Sequence, residues 1–307
     1  MKILLIGGSG QLGIEFLALI KNYKIDCLHP NSKDLDITNT DSLINFFDNN
    51  SFDIILNFSA YTNVDRAEQE YEHALAINHL ALRNLVNISN KHRKPIIHIS
   101  TDYVFGKFGN APYDINSEVG ALNKYGHTKL LGEKEIISNS NKAIIIRTAS
   151  LYGQHKKNFF KTFLDILISK KIINVVSDQK ISITWSYDLS LAIIELLLII
   201  SKSDNWIKKS SIDIIHMVNK GHTSWFEVAN IISSFLNKNN QVENPFTVNP
   251  ILYSDWGSKV KRPLDSRLSF YGEIPNLCEL KMPNWKTSLM VVLENYLKDI
   301  DYERYKT

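Results

Sequence analysis

Short apolar runs alternate with helix-period segments through the first half of the chain. Ile3–Ile6, Asp26–His29, Ile54–Phe58, Ile96–Ser100 and Ala143–Arg147 are compact and rich in aliphatic and β-branched residues, as strands are. Ile3-Leu4-Leu5-Ile6 and Ile144-Ile145-Ile146 contain no polar position at all, the pattern of strands covered on both faces. Between these runs the spacing predicts helices over Gly13–Leu19, over Asp41–Asp48, from about Ala67 onward, and over Asn123–Ile137. Strands alternating with helices imply βαβ crossovers, hence an α/β fold: a Rossmann-type doubly wound parallel sheet.

The rhythm changes after Arg147. Helices are predicted at Asn158–Ser169 and Tyr187–Ser201, then a strand at Ile212–Val218, then helices at Trp225–Leu236 and Lys286–Leu297. Prolines at 245, 250, 263, 275 and 283 predict irregular connections, suited to a smaller C-terminal α/β lobe over the sheet edge. A chain of 307 residues is about twice a typical domain of ~150 and leaves room for both. The expected division is 1–152 with 186–218 for the Rossmann domain, and 153–185 with 219–307 for the lobe.

Composition narrows the function by exclusion. Hydrophobic residues at 44% and charged residues at 22% match soluble globular proteins and exclude a disordered chain. A net charge of +3 with scattered lysines predicts no nucleic-acid partner and no anionic membrane surface. The most apolar segment, Leu189–Ile200, is shorter than the ~20 residues of a bilayer span and contains Glu195, so it is expected as a buried helix. The opening Lys2–Gly7 run passes straight into glycines and carries no leader-like cleavage site. Cys27 and Cys278 cannot build a disulfide framework, which fits a cytoplasmic protein.

Gly7-Gly8-Ser9-Gly10-Gln11-Leu12-Gly13 lies between the first strand and the first helix. Gly7 permits a tight turn, Gly10 allows a close backbone approach to a pyrophosphate, and Gly13 lets helix and strand pack closely. The second strand ends near Pro30-Asn31-Ser32-Lys33 without the acidic residue that holds a ribose 2′-hydroxyl in NAD enzymes. Lys33 can instead meet a 2′-phosphate, or be a solvated loop lysine. NADPH is the expected cofactor, with NADH left open.

The pattern Tyr-x-x-x-Lys occurs at Tyr103/Lys107, Tyr125/Lys129, Tyr152/Lys156 and Tyr302/Lys306, so it is not evidence by itself. Only Tyr125 and Lys129 sit in a helix-forming segment, where i and i+4 share a face. A nearby ammonium is expected to lower the phenol from its usual ~10, letting Tyr125 give a proton to a carbonyl oxygen. Thr101, at the end of the fourth strand, supplies a hydroxyl for the same oxygen, or caps the following turn.

Taken together these residues resemble the extended short-chain dehydrogenase/reductase superfamily, and within it the dTDP-4-dehydrorhamnose reductase family. The resemblance runs over nearly the whole chain. It is carried by Gly7–Gly13 with Gln11, Asp34-Leu35-Asp36-Ile37-Thr38, Ser59–Glu68, Ser100-Thr101-Asp102-Tyr103-Val104-Phe105, and Tyr125-Gly-His-Thr-Lys129 with Gly132-Glu133. Asp178-Gln179, Thr223-Ser224-Trp225 and Arg262-Pro263 with Ser266 follow in the family's order. The resemblance implies reduction of the C4 ketone of a nucleotide-linked 6-deoxy-4-ketohexose for surface polysaccharide synthesis, the substrate being held by the smaller lobe. Thr101, Tyr125 and Lys129 are the implied catalytic residues. Gly7, Gly10, Gln11, Leu12, Lys33, Asp36, Ile37, Ser59, Ala60 and Tyr61, with Tyr125 and Lys129, are implied to hold the cofactor; Thr101, Asp102 and Ser150 are implied to face the sugar. Asn78 is implied to support the proton relay near the lysine, or is a helix-surface amide. Asp65 and Glu68 have the spacing of a capping box, and Trp225 is expected in the core.

Departures from the family pattern bear on the sugar. In Arg147-Thr148-Ala149-Ser150-Leu151-Tyr152, Ser150 stands where the family has a tryptophan. Ile181-Ser182-Ile183-Thr184 replaces its Gly-x-Pro-Thr. Some relatives use Mg²⁺ at a dimer contact made by C-terminal acidic residues. Glu294 and Glu303 are available for a homodimer of that kind, but two glutamates do not make a metal site. Two rival readings stand beside the reductase: a nucleotide-sugar epimerase or dehydratase of the same superfamily, and a non-catalytic NADP-binding regulatory subunit.

Overall fold

In a computed structural model, residues 1–169, 172–202, 211–239, 247–269, 280 and 282–304 are described. Pro245, Pro275, Cys278 and Lys306 lie outside them, as does the side chain of Glu303.

Strands β1 (Lys2–Ile6), β2 (Asp26–Leu28), β3 (Ile54–Asn57), β4 (Ile96–Thr101), β5 (Ala143–Thr148) and β9 (Ile212–His216) form one six-stranded sheet in the order β2-β1-β3-β4-β5-β9. Every pairing is parallel. The chain order reverses between β1 and β3, the place where open α/β sheets bind ligands beyond their strand ends. Helices α1 (Gln11–Ile20) and α8 (Ser186–Lys202) cover one face, where Phe16, Leu189, Ile193 and Leu197 pack on Ile3, Leu5, Leu56, Ile144 and Ile146. The most apolar segment of the sequence is thus a buried helix, as its length and Glu195 suggested. Among the described residues no helix is long and apolar enough to cross a membrane.

The other face is covered by α2 (Thr40–Asn49), α5 (Ala81–Lys91) and α6 (Lys124–Asn139). The single helix expected from Ala67 is instead α3 (Val64–Ala67), α4 (Tyr71–Leu75), a π-helical segment Ala76–Leu80, and α5. The wider turn carries the buried Asn78, whose amide accepts from Tyr61 N (2.8 Å) and donates to Tyr61 O (3.0 Å) and Thr128 Oγ1 (3.0 Å). Asn78 is therefore not a surface amide: it fastens the segment after β3 to α6. The capping box at Asp65 and Glu68 does not form either. Asn63 caps α3, Asp65 pairs with Arg262 (2.7 Å), and Glu68 accepts from Lys124 N (2.8 Å).

A second core lies beyond the sheet, where α7 (Phe159–Ser169), α9 (Trp225–Lys238) and α10 (Trp285–Arg304) gather Phe160, Leu164, Ile232 and Leu289. Two short parallel pairs attend it: β6 (Leu151–Tyr152) with β8 (Thr184–Trp185), and β7 (Ile172–Val176) with β10 (Thr247–Ile251). Pro250, expected in an irregular connection, lies within β10 opposite Val175. An edge strand tolerates its missing N–H.

Candidate active site

The carboxyl ends of β1, β3, β4 and β5 open on one cleft of about 620 Å³. Its floor begins at the glycine turn. Gly7 has φ +87°, and a Cβ added at Gly13 would lie 2.4 Å from Gly7 O, so the strand–helix approach admits no side chain there. No side chain caps α1, leaving the first N–H groups of the helix free at the cleft, and the Nε2 of Gln11 is buried without a partner among the described residues. Free donors at a helix N-terminus suit a pyrophosphate, so the residues present fit a dinucleotide.

The wall of the cleft comes from β4 and α6. Thr101 ends β4, its Oγ1 accepting from Tyr103 N (3.2 Å) and donating to Asp102 Oδ1 (3.1 Å). The Thr101 side chain also hydrogen-bonds the phenol of Tyr125. Asn123 caps α6 by accepting from Gly126 N (2.8 Å), which places Tyr125 in the first turn and Lys129 one turn on. Lys129 is buried; its Nζ donates to Ile99 O (2.7 Å) and lies 3.0 Å from His98 Nε2.

Burial sets the electrostatics. It brings the Lys129 ammonium down to about 8, with Glu133 pulling the other way. It also raises the Asp102 carboxyl to about 7, against hydrogen bonds from Ser266 and Thr101. The phenol of Tyr125, expected to be depressed by Lys129, is instead pushed up to about 12 by desolvation, despite the Thr101 hydrogen bond. The reason is that the Nζ group faces Ile99 O and His98. Tyr125 thus stays protonated across the neutral range, the state an acid needs. Asp102 keeps one oxygen, Oδ2, buried and unpartnered at the cleft.

Of the residues expected at the site, Gly7, Gly10, Gln11, Leu12, Ala60, Thr101, Asp102, Tyr125, Lys129 and Ser150 line this one cleft. Ser59 and Tyr61 do not: Ser59 Oγ donates to Asn57 Oδ1 (2.6 Å), and the Tyr61 hydroxyl donates to Glu70 (2.6 Å). Lys33, Asp36 and Ile37 lie apart in the loop after β2. Lys33 is exposed, Asp36 is bonded to Thr38, and Ile37 packs with Leu35 and Leu43. Trp225, expected in the core, is half-buried and lines the cleft with Phe159, ring centroids 4.9 Å apart. Ser150, at φ +42°, lines the cleft at the position where the family pattern has a tryptophan. Two buried residues at the site escaped the sequence reading, His98 and Asn57. The one available signal was a polar residue inside an otherwise apolar strand run. Among the described residues no three His, Cys, Asp or Glu side chains converge as a metal site.

Residues 1–298 match the family model described as the RmlD substrate binding domain. A dTDP-4-dehydrorhamnose reductase of Aggregatibacter actinomycetemcomitans is 30% identical over 94% of this chain and 97% of its own. A dTDP-4-keto-6-deoxy-D-glucose reductase of Streptomyces niveus is 29% identical over 74% of this chain and 75% of its own. Among solved structures, a dTDP-4-dehydrorhamnose reductase from Bacillus anthracis in complex with NADP superposes with a TM-score of 0.83 at 31% identity, covering 96% of this chain and 99% of that one. The chain therefore belongs to the dTDP-4-dehydrorhamnose reductase family of NADP-dependent oxidoreductases.

Proposed function

We propose that this chain reduces the C4 ketone of a dTDP-linked 6-deoxy-4-ketohexose, dTDP-4-dehydro-L-rhamnose to dTDP-L-rhamnose, with NADPH. The observation that carries this reading is the convergence of Thr101, Asp102, Tyr125 and Lys129 with the glycine turn on a single cleft. Residues 1–152 and 186–218 form the cofactor domain in this reading, and 153–185 with 219–307 the nucleotide-sugar lobe. The cytoplasm is its place of work, and a homodimer is the assembly to look for.

Reduction of a ketone requires a hydride at carbon and a proton at oxygen. NADPH, when bound along the glycine turn, supplies the hydride; Gly7, Gly10, Gln11 and Leu12 are the residues that would hold its pyrophosphate. Tyr125 gives its phenolic proton to the carbonyl oxygen. The Thr101 hydroxyl, already bonded to that phenol, holds the same oxygen in place. Lys129, as an ammonium, offsets the negative charge left on Tyr125. The free Oδ2 of Asp102 accepts a sugar hydroxyl. Ser150 leaves the sugar without an aromatic on that side, and Trp225 with Phe159 supplies apolar surface from the lobe.

The test is to mix the purified protein with enzymatically generated dTDP-4-keto-6-deoxy-L-mannose and follow NADPH and NADH consumption separately. Oxidation of NADPH with formation of dTDP-L-rhamnose is the expected result, and Tyr125→Phe should lower kcat about 10²–10⁴-fold. A Tyr125→Phe protein with near-wild-type turnover would sink the mechanism. Cofactor consumption by other ketosugars alone would reassign the substrate.

A further inference from the structure

In the reaction proposed above the cleft receives two diphosphate bridges, one from NADPH and one from the nucleotide sugar. The first has the free N–H groups at the start of α1 for partners. A partner for the second stands on a loop that the reaction steps do not use. Between β6 and α7 the chain runs Gly153-Gln154-His155-Lys156-Lys157-Asn158, and Lys156 and Lys157 line the same cleft as Gly7 and Gly10.

This loop is held from both ends. On the lobe side, the Asn158 Nδ2 donates to the carbonyls of Gly153 (2.8 Å), His155 (3.3 Å) and Lys156 (3.3 Å), while its Oδ1 accepts from Lys161 N (3.2 Å) in the first turn of α7. On the sheet side, His155 Nε2 lies 3.8 Å from Glu15 Oε2 on α1, an oxygen that also accepts from Ser186 Oγ at the start of α8 (3.3 Å). Within this frame Lys156 holds φ +58°, a left-handed conformation that glycine adopts freely and a residue with a Cβ adopts only at a cost.

Both lysines are exposed, and neither ammonium has a hydrogen bond or an ion pair among the described residues. The third lysine of the cleft, Lys129, is turned inward to Ile99 O and His98. Asp102 is the one carboxyl among the residues that line the cleft, so its field favours an anion. Next to the two lysines in the chain, Phe159 packs on Trp225 with ring centroids 4.9 Å apart. Cations beside an aromatic surface suit a ligand that is anionic at one end and carries a ring at the other, as a nucleoside diphosphate does. We propose that Lys156 and Lys157 form a cationic arm that holds the diphosphate of the nucleotide sugar, on a loop whose shape is fixed by the Asn158 amide. The inference rests on the reductase reading, which supplies a substrate with a diphosphate.

Calorimetric titration tests it without turnover, with dTDP added to protein saturated with NADP⁺ and, separately, with NADP⁺ added to the free protein. At low ionic strength Lys156→Gln and Lys157→Gln are each expected to weaken dTDP binding about five- to tenfold, and the double variant about 30-fold or more. NADP⁺ affinity is expected to stay at the wild-type value. The loss should shrink in about 0.5 M salt, where exposed charges are screened. Lys156→Arg and Lys157→Arg keep the charge and should keep most of the affinity. Lys156→Gly suits the left-handed backbone, so it should melt no lower than the wild type and still lose affinity for dTDP, which separates the charge from the loop's shape. Unchanged dTDP binding in both glutamine variants overturns the proposal, as does a wild-type protein that binds no dTDP. A loss that the arginine variants share and that salt leaves unmoved means a merely structural loop and also overturns it. A loss with NADP⁺ equal to or larger than that with dTDP overturns the assignment to the sugar nucleotide. A wild-type protein that binds dTDP through these lysines but turns over no ketosugar would defeat the reductase reading and leave the cationic arm standing.

Discussion

On the face covered by α1 and α8, the central strands present Leu5, Leu56, Ile97, Ile144, Ile146 and Ile215, all fully or almost fully buried. On the face covered by α5 and α6, alternate residues of the same strands begin equally apolar, with Leu4, Ile55, Ile96 and Ile145. Toward the carboxyl ends that face turns polar: Asn57, His98, Ser100, Arg147 and His216 are buried side by side, Ser100 opposite Arg147 and Arg147 opposite His216. Burying such groups costs free energy unless each finds a partner. Several do. Arg147 makes two charge-assisted bonds to Glu133, 3.0 Å to Oε1 and 2.7 Å to Oε2, and the ring of Phe105 lies 4.9 Å from its guanidinium carbon. Others, such as Arg147 Nη1 and His216 Nε2, have no partner among the described residues. The apolar face thus holds the sheet together, while the polar face spends part of that stability on positioning Lys129 and Glu133 along α6.

The largest expected effect breaks the polar face at its centre. Glu133→Leu leaves the Arg147 guanidinium buried and unpaired, and should cost about 3–5 kcal/mol in urea unfolding. Adding Arg147→Met should recover most of that loss, because a buried pair replaced as a whole by apolar groups is near neutral. If the double variant is no more stable than the single one, the pair matters through something other than its uncompensated charge. On the apolar face, Ile146→Ala should cost about 3 kcal/mol by leaving a cavity. It should leave the pH profile of kcat/KM unmoved, since the cleft's titrating groups, Asp102 and Lys129, lie after β4 and on α6 rather than under α1 and α8. A shifted profile in Ile146→Ala would mean that the two faces are coupled and the comparison fails.

The unequal faces also explain what the sequence disclosed. Runs such as Ile3–Ile6 and Ile144–Ile146 announce strands buried on both sides, because nothing but a doubly covered sheet needs them. Tyr125 and Lys129 were legible because helical spacing brings i and i+4 together, and Thr101 because it ends a strand. The π-turn at Asn78 was not legible, since its cause is a contact to Tyr61 and Thr128, far away in sequence. Trp225 looked like core because its helix is amphipathic; only the docking of α9 beside Phe159 brings it to the cleft. Pro250 counted against a strand until β7 supplied an edge for it. Lys33 was placed by its position after the second strand, and Asp36 and Ile37 by resemblance; none of the three lines the cleft. Departures of this kind come from tertiary contacts, and the cleft is where they concentrate.

The smallest expected effect concerns Asp102, which sits where β4 meets the cleft. Its folded-state pKa, about 7, lies above the ordinary carboxyl value because it is buried, 2% exposed. A carboxyl raised in this way contributes stability below its unfolded pKa, and that contribution is lost as pH rises through the folded value. Ionisation of Asp102 therefore destabilises the native state progressively between about pH 4 and pH 7. Asp102→Asn, which cannot ionise, should match the wild type in stability near pH 4 and exceed it increasingly as pH rises to 8, read as a widening gap in Tm. Turnover should move the other way, because the neutral amide offers a weaker acceptor to a sugar hydroxyl than a carboxylate does. The loss should be carried by KM, and it should shrink below pH 7, where the wild-type group is itself protonated. A stability difference that does not change with pH would mean that Asp102 is not the strained carboxylate its burial implies. A kcat loss with KM unchanged would place it in proton transfer beside Tyr125.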